Sequence, residues 1–120
     1  MDKQTKYIIV KFIKFVNTNL NLNNPYRVQL SFNSDNKLKT YAYYDPETCL
    51  IKIYCKDRGV ADILRSVAHE LVHHHQNQEN KLNRPIQDIG GSIEDEANGV
   101  AGQLVKKFGY ANPMLSIYGK

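Results

Sequence analysis

Val60-Ala61-Asp62-Ile63-Leu64-Arg65-Ser66-Val67-Ala68-His69-Glu70-Leu71-Val72-His73 is the stretch that decides how the chain folds and what chemistry it carries. After Gly59, the residues Val60, Ile63, Leu64, Val67 and Leu71 recur at three- and four-residue spacing, which predicts a helix with one apolar face. At about 100° per residue, positions 69 and 73 differ by about 40° around that helix and stand one turn apart. Two imidazoles therefore project to one side and can meet one metal ion. Glu70 sits beside them, where its carboxylate can hold and deprotonate a metal-bound water without taking a coordination position.

His69-Glu70-Leu71-Val72-His73 is the His-Glu-x-x-His pattern of zinc metalloproteases. With four His in the chain, chance yields that pattern in roughly one such sequence in two hundred. The plainer reading is an amphipathic helix with surface histidines. The apolar back face and the long polar segment that follows favour the motif. Zinc suits nitrogen and oxygen ligands in tetrahedral geometry, and an open fourth position makes such a site catalytic.

A third protein ligand is required. Gln76 stands where a metzincin needs Gly and Glu79 where it needs His, which disfavours that branch. Glu94, Asp95 and Glu96 open the next predicted helix. With its apolar face centred near Ala97, Glu94 lies about 60° from the centre, Glu96 about 100° away on the other side, and Asp95 faces solvent. Glu94 ranks first as ligand, and Glu96 or Asp88 would inherit the role. An acidic first turn also suits the helix dipole by itself. Asn98, one turn beyond Glu94, is placed to hydrogen-bond a ligand histidine. His74 and His75 project more than about 100° from the metal direction, and His74 reads as a packed or hydrogen-bonded core histidine. Tyr110 and Tyr118 are candidate donors to the oxyanion of a tetrahedral intermediate.

Around this helix the rest of the chain reads as an α+β domain over residues 1–120. Ile8, Ile9, Phe12, Ile13, Phe15 and Val16 predict an N-terminal helix over Lys6–Leu20. Tyr26, Val28, Leu30 and Phe32 alternate with polar residues as in a half-buried strand, closed by Asn33 to Lys37. Thr40 to Tyr44 and Leu50 to Tyr54 predict two more strands joined through Asp45-Pro46-Glu47-Thr48. Three short strands suggest one antiparallel sheet. Asn77 to Gly91, with Pro85 and Gly90, reads as a loop, and Ser92 opens a third helix with its hydroxyl as cap and Gly109 as stop.

Composition narrows the function classes. The chain is 42% hydrophobic and 23% charged, ordinary for a globular protein. Its net charge of +4 comes from sixteen Lys and Arg scattered along the chain, so a nucleic-acid partner is not expected. No apolar run is long enough for a membrane span, and no signal peptide is visible. Cys49 and Cys55 flank a strand that would hold them about 20 Å apart, so free thiols and a reducing, cytoplasmic setting are expected. Abundant Asn and a preference for Lys over Arg fit an AT-rich genome, such as a viral one.

His69-Glu70-Leu71-Val72-His73, followed downstream by Glu94-Asp95-Glu96-Ala97-Asn98, resembles the gluzincin clan, in particular the small ImmA/IrrE-type metallopeptidases. The resemblance covers mainly positions 60–108. It implies a minimal zincin-like fold, Zn2+ held by His69, His73 and Glu94, Glu70 as catalytic base, and a protein or peptide substrate. It further implies that the last strand before the motif, Leu50 to Tyr54, forms the cleft edge and pairs with the substrate backbone. Gly99-Val100-Ala101 stand where those proteins usually carry an aromatic residue after the Asn. Two other readings remain: a zinc amidase acting on cell-wall peptides, and a zinc-binding structural or interaction module without turnover. Glu70 argues against the last, since a structural site needs no base and closes its fourth position.

Overall fold

The computed structural model describes residues 3–32, 41–82 and 91–118. Helix α1 spans Lys3–Leu20, strands β1 to β3 span Arg27–Ser31, Ala42–Asp45 and Leu50–Tyr54, and helices α2 and α3 span Val60–Gln78 and Ser92–Ala111. This is the expected α+β class. Asn33 to Lys37, Thr40, Pro85, Asp88 and Gly90, which entered the sequence reading, lie outside the described residues.

The three strands form one sheet in the order β1-β3-β2. β2 and β3 are an antiparallel hairpin, with Tyr44 opposite Ile51. The turn between them holds because Asp45 accepts from the Glu47 amide at 3.0 Å and the Thr48 hydroxyl at 2.9 Å. β1 runs parallel to β3, with Val28 opposite Ile51, so the sheet is mixed and the expected all-antiparallel arrangement is corrected. The reason is burial. β3 carries Ile51 and Ile53, both without exposure, whereas β1 exposes Arg27 and Gln29. The most apolar strand takes the centre and the others take the edges.

That order also corrects the expected cleft edge. Leu50 to Tyr54 is flanked on both sides and cannot accept another strand, and among the described strands β2 is the outer one next to the site.

Helix α2 packs against α1, α3, β2 and β3. Its Ile63, Leu64, Val67, Ala68 and Leu71 are buried, joining Ile9, Phe12 and Val16 of α1 with Ala97, Ala101, Leu104 and Phe108 of α3. Phe12 and Phe108 meet edge to face at 5.1 Å, which ties the first helix to the last. α3 differs from expectation at both ends. Gly91 is its cap, with no side-chain cap bond, so Ser92 is the first helical residue and not the cap. It also runs through Gly109 to Ala111, since Ile117 folds back on that glycine and is itself buried. Cys49 and Cys55 are both free. Among the described residues no helix is long and apolar enough to cross a membrane.

Candidate metal centre

The open side of α2 presents His69, Glu70 and His73 to the N-terminal turn of α3. Helical spacing sets the two imidazoles with ring centroids 4.8 Å apart. Glu94 enters from α3 and spans them: its Oε1 lies 3.0 Å from His69 Nε2 and its Oε2 lies 3.1 Å from His73 Nε2. Ligand atoms of the three residues lie within 4.8 Å of one another, so the group could hold a metal ion. They line a cavity of about 300 Å³ together with Glu70 and with Ala42, Tyr43 and Tyr44 of β2.

A polar support orients this cluster. Gln76 is fully buried, and its Nε2 donates to the Ile93 carbonyl at 3.1 Å and to Glu96 Oε1 at 2.7 Å. Both partners only accept, so the amide oxygen is the atom facing His73 Nδ1, 2.8 Å away, and Nδ1 must carry the proton. Nε2 of neutral His73 is then a bare lone pair pointing at a carboxylate oxygen. Two acceptors at that distance need a proton or a cation between them, and a metal ion meets the need for both histidines at once. Asn98, nominated from the sequence as a partner for a ligand histidine, lines a cavity beside His69 and acts to raise its pKa.

Electrostatics favours the neutral ligand form. Burial holds the His69 pKa below its usual value, and the neighbouring His73 adds to this, against the pull of Glu94 and Asn98. Glu70 is 7% exposed, and burial, with a smaller effect of the Glu94 carboxylate, pushes its pKa up to about 8.

The other nominated residues fall elsewhere. Glu96 bonds to Gln76 and has no contact with His69 or His73, which leaves Glu94 as the nominated acid at the cluster among the described residues. Asp95 is exposed, as expected. His74 is buried, hydrogen-bonded to Tyr44 and the Asn24 carbonyl, and His75 pairs with Glu79 at 3.3 Å. Tyr110 and Tyr118 are largely exposed and do not line the cavity. Tyr110 sits sixteen residues past Glu94 on the same helix, about 24 Å along its axis, which removes it as an oxyanion donor. The tyrosines at the cavity are Tyr43 and Tyr44.

The sequence reading missed Gln76, although its i+3 spacing from His73 was the signal available. Nothing in the sequence pointed to Tyr43, because which strand forms the wall depends on the order of the sheet. In comparisons with protein-family models, curated proteins and solved structures, nothing matches this chain.

Proposed function

We propose that the protein is a zinc-dependent metallopeptidase in which His69, His73 and Glu94 hold the metal and Glu70 is the catalytic base. The observation that carries this reading is one cavity containing both a two-histidine, one-carboxylate ligand set and a separate buried carboxyl. Two nitrogens and one oxygen are the donor set of hydrolytic zinc sites, and the three ligands found among the described residues leave a coordination position open, which a structural site would close.

Zinc held by His69, His73 and Glu94 would supply Lewis acidity to a carbonyl and to a water, and would favour the carboxylate form of Glu70. Glu70 then takes the proton of the attacking water and passes it to the leaving nitrogen. Gln76 keeps His73 in the Nδ1-protonated tautomer, so its Nε2 stays turned to the cavity. β2 is the outer strand of the described sheet on the side of the site and lines the same cavity, which suits an extended peptide lying along it. Such a wall favours a peptide over a compact amide.

The test combines metal analysis with substitution. Wild type is expected to bind one equivalent of zinc and to cleave members of a diverse peptide pool, read by mass spectrometry. Glu70→Gln is expected to retain zinc while hydrolysis falls by about 10²–10⁴. Equal cleavage by wild type and Glu70→Gln, or zinc-loaded wild type that cleaves nothing in the pool, overturns the reading.

A further inference from the structure

Beside the ligand cluster opens a second cavity of about 340 Å³, walled by Tyr41, Arg58, Asp62, Arg65, Ser66 and Asn98. It shares Ala42, His69 and Glu70 with the metal cavity, so a chain crossing one enters the other. Two arginines line it, and their situations are opposite.

Arg58 is fully engaged by the fold. Its side chain is 5% exposed, lies over the Tyr41 ring at 4.6 Å and pairs through Nε with Asp62 at 2.8 Å. Its two terminal nitrogens bond the carbonyls of Tyr41, Tyr54 and Asp62 and the Ser66 hydroxyl oxygen. A guanidinium has five N–H groups, and five bonds use them. Arg58 and Asp62 thus neutralise each other, and Arg58 has no donor left for a ligand.

Arg65 is exposed and forms no ion pair with any described residue. It precedes His69 by one helical turn, which places the two Cβ atoms about 6 Å apart on one face of α2. Its planar fork of donors matches a carboxylate in two-point contact. Ser66, whose oxygen accepts from Arg58 at 2.6 Å, keeps its own proton to donate on the same wall.

We propose that Arg65 is the specificity-determining residue of this site, pairing with a substrate carboxylate about one or two residues from the bond being cut. The proposal rests on the peptidase reading and names its substrate class: peptides carrying Asp or Glu near the scissile bond, or ending in a free carboxylate there. Both sources present the same planar anion to the same guanidinium.

The probe is a set of Ala-framework hexapeptides in which Asp, Glu, Gln or Lys is scanned through each position, each made with a free and an amidated C-terminus. Binding to zinc-loaded Glu70→Gln protein is read by NMR titration, and cleavage by wild type is read by mass spectrometry. At one position the Asp or Glu peptide is expected to bind at least about tenfold tighter than its Gln counterpart, or the free-ended peptide tighter than its amide, and the two patterns separate the sources. Arg65→Gln is expected to abolish that preference and Arg65→Glu to shift it to Lys, with zinc content unchanged in both. Absence of any carboxylate preference, or a preference that survives Arg65→Gln, overturns the proposal. Cleavage without the preference removes the subsite and leaves the peptidase standing. Preferential binding without cleavage by wild type does the reverse.

Discussion

His73 and His74 are consecutive, both buried, and opposite in kind. His74 is saturated: its Nε2 faces the Asn24 carbonyl at 3.0 Å and so donates, which leaves Nδ1 to accept from the Tyr44 hydroxyl at 2.8 Å. Tyr44 in turn accepts from Asn77 at 2.9 Å. Every polar atom in that cluster has a neutral partner, and the cluster joins α2 to β2 and to the segment before β1. His73 has its Nδ1 satisfied by Gln76, but its Nε2 is aimed at the Glu94 carboxylate. One imidazole closes a network and the next leaves one open to a cation. Partner chemistry, more than burial, separates a structural histidine from a ligand.

The widest separation is expected from alanine at each position. His73→Ala is expected to lower zinc affinity by more than the roughly 10–100-fold that loss of an outer partner costs, with a smaller loss of metal-free stability than His74→Ala, because it strands one acceptor, Gln76 Oε1, and removes a nitrogen that faces the Glu94 carboxylate. His74→Ala is expected to leave zinc affinity near wild type while lowering stability by about 2–4 kcal/mol, from a cavity and two stranded polar groups. Chelator competition and urea unfolding measure the two effects. If both variants lose zinc equally, the contrast collapses.

Next in size is the support behind His73. Gln76→Leu fills a similar volume but cannot accept from Nδ1, so the tautomer is no longer fixed and Glu96 loses its donor. Zinc affinity is expected to fall about 10–100-fold, while Gln78→Leu, which affects bonds to Asn21, Asn23 and Asn24 outside the cavity, leaves it unchanged. Equal affinities for Gln76→Leu and wild type would remove Gln76 from the site.

These contrasts mark how far the sequence could be read. A single turn of helix fixes the relation of His69 to His73, and the same 100° geometry turned Glu94 inward and Asp95 out, so the local half of the site was legible. Gln76 was visible at the same spacing but was read only as a departure from another motif. The strand order was not legible, because pairing β1 with β3 rather than β2 is settled by which strand the helices bury. With the order went the cleft edge, and with the edge went Tyr43. The distance of Tyr110 from the cavity follows from α3 running on past Gly109, where a fold-back by Ile117 outweighs the local stop signal.

A smaller effect separates the two regions by pH. In the metal-free protein Glu70 has a pKa of about 8 against an ordinary value of 4.5, so the folded state holds an extra proton between those limits. Its stabilising contribution is complete below about pH 4.5 and is lost as pH rises through 8. His69 works the other way: its folded pKa is depressed by burial first and His73 second, so stability gains as pH rises towards 6.5. Above 6.5, of these two groups, Glu70 alone still titrates. Metal-free wild type is therefore expected to lose up to about 2 kcal/mol between pH 6.5 and 8, and Glu70→Gln to show a flat profile there. A flat wild-type profile in urea unfolding would contradict the burial of that carboxyl.

The smallest and sharpest test falls on Tyr44, which belongs to both regions. Its ring lines the metal cavity, while its hydroxyl is committed to His74 and Asn77. Burial raises its pKa further above the ordinary phenol value, so the hydroxyl remains a donor across the working pH range. Tyr44→Phe keeps the ring and removes the hydroxyl's bonds to the saturated histidine and to Asn77. His74 Nδ1 is then a buried acceptor without a donor, a loss of about 1–2 kcal/mol. Zinc affinity and cleavage are expected to stay within about twofold of wild type, because the hydroxyl is not offered to the cavity. If Tyr44→Phe instead lowers cleavage tenfold at unchanged zinc content, the hydroxyl leaves His74 during turnover, and the two histidines are parts of one machine.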